Sequence, residues 1–247
     1  MIRGAGLAAL AVVAVVALGA CSFPTKHPDG DAGTADAATP FGCQGAPFGT
    51  TAPAQIMMSG QALDLGTGVA AAGTAVTGVL DAGGALFTGT TDASGSFSAL
   101  VDTHGKALAG HVVTTAGTYA ASYFYPAHPF DRDTVVPLPM LEPAELEQPP
   151  ISNPTGTALA QLILGNCLGA GLAGCTLTVT PAPQRIVYAI NGKPDPTAAA
   201  TDATGYALVY GVVPGPAQFA ASCPTGPLRP SSIAITASST YFIQLEP

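Results

Sequence analysis

A five-residue frame, Thr-Asp-Ala-Ser/Thr-Gly, stands twice in this chain, at Thr91 to Gly95 and again at Thr201 to Gly205. Each copy has the chemistry of a tight hairpin turn. The Asp carboxylate reaches backbone N–H groups two residues on, the hydroxyl residue does likewise, and Gly accepts a positive φ. Strand-like residues flank both copies, Ser96-Phe97 in one and Tyr206-Ala207 in the other. Two such turns in two similar settings predict two copies of one β-domain. Composition agrees. In 247 residues there are 30 Gly, 23 Pro and no Trp, and only 9% of residues are charged. That is turn material rather than helix material, and an all-β chain follows.

Short apolar runs then recur about every ten residues. In the first unit they are Gln55–Leu63, Thr74–Leu80, Ala85–Thr90, Ser96–Val101, Gly110–Thr115, Thr118–Tyr125 and Thr134–Leu138. In the second they are Thr157–Leu164, Cys175–Thr180, Arg185–Ile190, Tyr206–Tyr210, Pro216–Ser222, Ser232–Thr236 and Thr240–Leu245. Between the units, Glu142 to Pro154 is rich in Glu and Pro and reads as a stiff, extended spacer. Parity after the two turns differs in one respect. Phe97 and Ala99 share a face with Ala207 and Val209, which sends Tyr206 to the opposite face.

The N-terminus supplies an address. Met1-Ile2-Arg3 is followed by an uncharged Ala/Val/Leu run ending in Leu18-Gly19-Ala20-Cys21, the plan of a secretory signal. The terminal four residues resemble a bacterial lipobox, which implies cleavage before Cys21 and lipidation of that residue. Lipid chains on Cys21 anchor a protein stably, at about 0.8 kcal/mol per buried methylene. Ser22 rather than Asp follows the Cys, which by resemblance to enterobacterial sorting points to the outer membrane. Residues 22 to about 50 carry almost no large apolar side chain before Phe41 and read as a flexible tether.

Both units resemble the carboxypeptidase regulatory-like domain, a transthyretin-like (prealbumin-like) β-sandwich. The resemblance is carried by Ala72-Gly73-Thr74 and Ala173-Gly174-Cys175, by the two turns, and by Val212-Val213-Pro214-Gly215-Pro216 in the second unit. It implies fold, and a structural or accessory module that supplies no catalytic residue. The expected organisation is a signal peptide (1–20), lipidated Cys and tether (21–53), a first sandwich (54–140), a linker (141–155) and a second sandwich (156–247).

With Cys21 lipidated, four cysteines remain: Cys43, Cys167, Cys175 and Cys223. In an exported chain they read as two disulfides, with three connectivities open. Cys167 and Cys175 flank a Gly-rich turn, whereas Cys175 and Cys223 would pin two strands. Zinc is disfavoured because there is no Cys-x-x-Cys pair and no nearby His.

Other motifs point away from catalysis. Gly169-Ala-Gly171-Leu-Ala-Gly174 matches a dinucleotide fingerprint, but a strand ending in prolines follows where a helix is required. The residue types of a two-Tyr, two-His iron site occur at Tyr119, Tyr123, Tyr125, His111 and His128, without the close His pair of intradiol dioxygenases. Asp131-Arg132-Asp133 reads as a local ion pair rather than a calcium loop. No Lys/Arg cluster exists and the net charge is −8, so nucleic acid is excluded as a partner. No cofactor or metal is expected.

The densest aromatic patch is Tyr119, Tyr123, Phe124, Tyr125 and Phe130. At period two, Tyr119, Tyr123 and Tyr125 share one face. That face is either core or a contact for an envelope glycan or protein, with Tyr119, Tyr123, Tyr125 and Phe130 as the binding-surface candidates. The function expected is a non-catalytic lipoprotein presenting two β-modules for structural, adhesion or ligand-binding use. An accessory subunit of an envelope peptidase or transport complex is the alternative, and an enzyme with an unrecognised metal site ranks behind both.

Overall fold

The computed structural model describes residues 40–147 and 151–247. The signal peptide, Cys21 and residues 22–39 lie outside this range. The described chain is all-β apart from one short helix.

The first unit comprises β1 (Gln55–Asp64), β2 (Ala75–Leu80), β3 (Ala85–Thr90), β4 (Ser96–Asp102), β5 (Gly110–Thr115), β6 (Ser122–Tyr125) and β7 (Thr134–Met140). One sheet runs β4-β1-β7, with β7 parallel to β1, and the other runs β3-β2-β5-β6. Side chains alternate across each strand. Ile56, Met58 and Ala62 of β1 therefore meet Val76, Phe87, Val112 and Phe124 from the facing sheet in one core. The sixth strand begins later than the sequence suggests. Thr118 and Tyr119 belong to a turn, closed by the Tyr119 N–H donating to the Ala116 carbonyl at 3.0 Å.

A helix, α1 (Pro143–Glu147), follows. Residues expected to be an extended spacer thus turn inward. Pro143 fits a first helical position, and the Glu145 carboxylate accepts from the Glu142 N–H at 2.8 Å, closing the N-terminus. Leu146 is buried.

The second unit comprises β8 (Ala158–Leu164), β9 (Thr176–Thr180), β10 (Arg185–Ile190), β11 (Lys193–Asp195), β12 (Tyr206–Val212), β13 (Gly215–Cys223), β14 (Gly226–Pro227), β15 (Ser231–Ile235) and β16 (Thr240–Leu245). In one sheet the order is β11-β10-β12-β8-β16; in the other, β13 pairs with β9, β14 and β15. The face prediction holds: Ala207 and Val209 lie in the second core, Phe97 and Ala99 in the first, and Tyr206 packs on the other side of its sheet.

The two turns share their central bonds. The Asp92 and Asp202 carboxylates accept from the N–H of Ser94 (2.8 Å) and Thr204 (2.9 Å). The Ala62 and Leu164 N–H groups donate to the carbonyls of Gly95 and Gly205, both at 2.8 Å. A Cβ at either Gly would sit 2.5 or 2.3 Å from the carbonyl oxygen of Ala62 or Leu164, and both residues have positive φ. Only Gly fits there. The leading Thr of each frame is a buried clasp. The Thr91 hydroxyl donates to Ala71 O (2.7 Å) and accepts from the Thr74 N–H (2.9 Å), while Thr201 makes the same bonds to Leu172 O (2.6 Å) and the Cys175 N–H (3.0 Å).

One strand changes sheets between the units. The hairpin β2–β3 turns through Gly83 and Gly84, both at positive φ, so β3 stays beside β2. Its counterpart β10 instead crosses to pair with β12. The intervening segment is Pro181-Ala182-Pro183-Gln184, and its prolines lack the N–H donors and the φ freedom of a tight hairpin. Asn191-Gly192 then turns the chain back into β11, a hairpin signal of the strongest kind.

The units share a sheet. β16 lies parallel to β6, pairing Thr240 with Ser122 through to Ile243 with Tyr125. The result is a single nine-stranded sheet, β11-β10-β12-β8-β16-β6-β5-β2-β3. Alternation along the paired strands sends Tyr241 and Ile243 to the second core and Phe242 and Phe124 to the first. The two cores therefore lie on opposite faces of the common sheet.

Candidate functional site

Two of the aromatic residues singled out by the sequence, Tyr123 and Tyr125, gather at the seam between the units. Tyr123 stacks on Tyr241 with ring centroids 4.8 Å apart, and Tyr125 stacks on His111 at 4.6 Å. Parallel register produces this: Tyr123 stands directly beside Tyr241, and His111 reaches the cluster from β5. Both β6 tyrosines are half-buried and pack against the second core. The shared face is thus a contact between units.

Burial lowers the His111 pKa from its ordinary value, and the nearby Asp81 carboxylate opposes that only in part. The His111 Nδ1 lies 3.6 Å from Asp81 Oδ1, beyond hydrogen-bond reach. Burial likewise pushes the Tyr125 hydroxyl upward.

The remaining candidates are not brought together. Tyr119, in its turn, faces away from the stack and donates to the Asp64 carboxylate at 2.9 Å. Burial acts to raise Asp64, but hydrogen bonds from Thr67 and Tyr119 outweigh it and hold the carboxyl low. Phe130, a binding-surface candidate with a core role as the alternative, is 2% exposed and belongs to the first core. Its backbone explains this, since Phe130 and Leu108 exchange hydrogen bonds that draw the loop onto the sheet. Asp131 and Arg132 form the local ion pair, at 2.7 and 3.0 Å.

The cysteines pair as Cys43–Cys167 and Cys175–Cys223. The second bridge joins the chain just ahead of β9 to the end of β13. The first has a larger effect, because it fastens the segment before β1 to the second unit. Residues 40–53, expected as tether, form a strap. The Cys167 N–H donates to Pro40 O at 3.0 Å, and the Arg229 guanidinium donates to the carbonyls of Cys43 and Ala46. Arg229 also lies over the Phe48 ring at 4.0 Å. Beneath this strap, burial raises the Glu246 carboxyl against the pull of His128, Arg132 and Arg229.

The Gly-rich run before β9 has a packing role. A Cβ on Gly171 would lie 2.3 Å from the backbone of Thr204, so this loop presses directly on the second turn. Among the described residues no group of three or more His, Cys, Asp or Glu gathers around one point. None of their helices is long and apolar enough to cross a membrane. Sequence reading missed the strap and β11. Asn191-Gly192 was the available signal for β11, and the strap had none beyond Cys43 itself.

No family model and no curated protein matches the chain. Among solved structures, it is similar to the Bacillus anthracis TIE protein, at 10% identity and a TM-score of 0.27, covering 78% of this chain and 33% of that one. A Streptococcal ancillary pilin aligns at 11% identity and a TM-score of 0.25, over 78% of this chain and 62% of that one. The shaft pilin SpaA of Lactobacillus rhamnosus GG aligns at 10% identity and 0.24, over 80% and 98%. The chain spans about a third of the first of these proteins and less than two thirds of the second. Likeness at such scores carries no argument about function.

Proposed function

We propose that this chain is a non-catalytic lipoprotein of the bacterial cell envelope, held through Cys21 in the outer membrane. There it presents two β-sandwich units of carboxypeptidase regulatory-like type to an envelope glycan or protein. The observation that carries the reading is the β6–β16 junction, which merges the units into one sheet. Such a body suits a presenting or spacing role. Tyr123, Tyr125 and His111 are engaged in stacking at this junction. The lipobox-like Leu18-Gly19-Ala20-Cys21 supports the address, and two disulfides fit an oxidising compartment.

Metabolic labelling with radioactive palmitate tests the anchor. Wild-type protein should take up label and sediment with outer membranes, and Cys21→Ala should do neither. Label retained in Cys21→Ala would overturn it. Cross-linking at the envelope tests the free-standing role, since a stable, stoichiometric enzyme partner would reassign the chain as an accessory subunit.

A further inference from the structure

The two units carry the same sheet plan, yet one edge is filled in the second and empty in the first. Strand β12 is covered on one side by β8 and on the other by β10. Its counterpart β4 pairs with β1 alone. Among the described residues no strand lies along its other side.

Register shows which groups face that side. The Ala62 N–H donates to Gly95 O, and Thr103 N–H to Ala54 O. Antiparallel pairing alternates, so Phe97, Ala99 and Val101 turn their backbone groups to β1. Ser98 and Leu100 turn theirs outward. The equivalent residues of β12 are Leu208 and Tyr210, and both pair with β10, opposite Val187 and Arg185.

The outer face beside this edge is also uncovered. Leu100 is 59% exposed, Met57 39% and Val135 56%. Leu100 stands opposite Met57, and Val135 opposite Ser59, on one face of β4-β1-β7, and the three occupy the places of Tyr210, Leu159 and Phe242. In the second unit α1 and its flanks bury Tyr210 and Leu159, and Phe242 packs on the first core.

Natural sheets guard open edges with Pro or charge. The opposite edge strand β7 is guarded, by Pro137 and Pro139. β4, Ser-Phe-Ser-Ala-Leu-Val-Asp, has no Pro and no Lys, and a single charge at its end.

We propose that β4 is an acceptor edge for an added antiparallel strand, supplied by an extended, neutral-to-basic segment of a partner protein with apolar side chains at alternate positions. The molecule shows the mode of pairing in β10. Charge selects the partner. Asp92 and Asp102 bracket the edge and the chain is at −8, which disfavours a second copy. The resident strand β10 brings Arg185 to the place facing Tyr210, with its guanidinium 4.3 Å from that ring centre. This deepens the binding part of the proposed function and is independent of the lipid anchor, so palmitate labelling and the experiment below fail separately.

The probe is a synthetic peptide of the β10 segment, Gln184 to Asn191, titrated into the purified protein with hydrogen exchange followed residue by residue. Saturable binding with new protection at Ser98 and Leu100 is expected, together with at least tenfold weaker binding in Leu100→Pro. The N–H it removes points outward and makes no bond to β1, and Pro is tolerated on edge strands, so the melting temperature should hold. Leu100→Lys serves if the Pro variant does not fold. Absence of saturable binding, protection on β3 instead, or unchanged binding in a folded variant would overturn the proposal. So would concentration-dependent dimerisation that Leu100→Pro abolishes, which would make a second copy the occupant.

Discussion

At the scale of single residues, the buried Thr clasps contribute more than the recognisable turn residues beside them. Thr201 satisfies one buried N–H and one part-buried carbonyl at once. Thr201→Val keeps the shape and orphans both, so a loss of about 1–3 kcal/mol is expected, read as a lower midpoint in urea. Asp92 is solvent-exposed, and Asp92→Ala should change stability less than Thr201→Val in the same assay. His111 sets a pH dependence. Its folded pKa is lowered by burial, so the unfolded chain binds the proton first as pH falls. Its contribution is full above the ordinary His value of about 6.5 and drops between there and the lowered value. His111→Gln should flatten that part of the curve of stability against pH.

At the scale of elements, the seam is the informative place. Tyr241 is fully buried, stacks on Tyr123, and accepts a hydrogen bond from the Thr236 N–H at 2.6 Å. Tyr241→Ala should cost about 3–5 kcal/mol, as for other large-to-small core changes, and should raise hydrogen exchange in β6 as well as β16. An effect confined to the second unit would mean the shared sheet is not cooperative. Much of the strand plan was legible in the sequence. Ala85–Thr90, Gly110–Thr115, Arg185–Ile190 and Thr240–Leu245 form the strands that their alternation and flanking turns indicate. What periodicity does not carry is the neighbour of each strand. Nothing in Tyr241-Phe242-Ile243 says that one face meets its own core and the other a different one. The same limit hid the crossing of β10, although Pro181 and Pro183 were its visible cause. Period two puts Tyr119, Tyr123 and Tyr125 on one face, core or contact; Tyr119 leaves it for Asp64, and Tyr123 and Tyr125 pack on the other half of the chain.

At the scale of the whole molecule, the strap and the shared sheet hold the units in two independent ways. Breaking the strap with Cys43→Ser and Cys167→Ser together frees a loop spanning 124 positions. The chain-entropy model puts the loss at about 5 kcal/mol. Denaturant midpoints of the double variant should fall while the shared sheet persists in native-state hydrogen exchange. An unchanged midpoint would mean that the strap docks without contributing. Edges follow the same logic. Two prolines close β7, β6 and β16 close each other, and β4 presents an open edge with Leu100, Met57 and Val135 exposed on the outer face of its sheet.

The strap also decides where tension travels. A pull arriving from residues ahead of Cys43 meets the Cys43–Cys167 bond before it reaches β1. When the load rests on the second unit, force crosses that sulfur bridge directly. Residues 44–166, the whole first sandwich included, then hang as a slack loop outside the line of stress. A reductant would redirect the same pull through β1 and the strands packed on it, so the first unit would unfold under load only after Cys43 and Cys167 part.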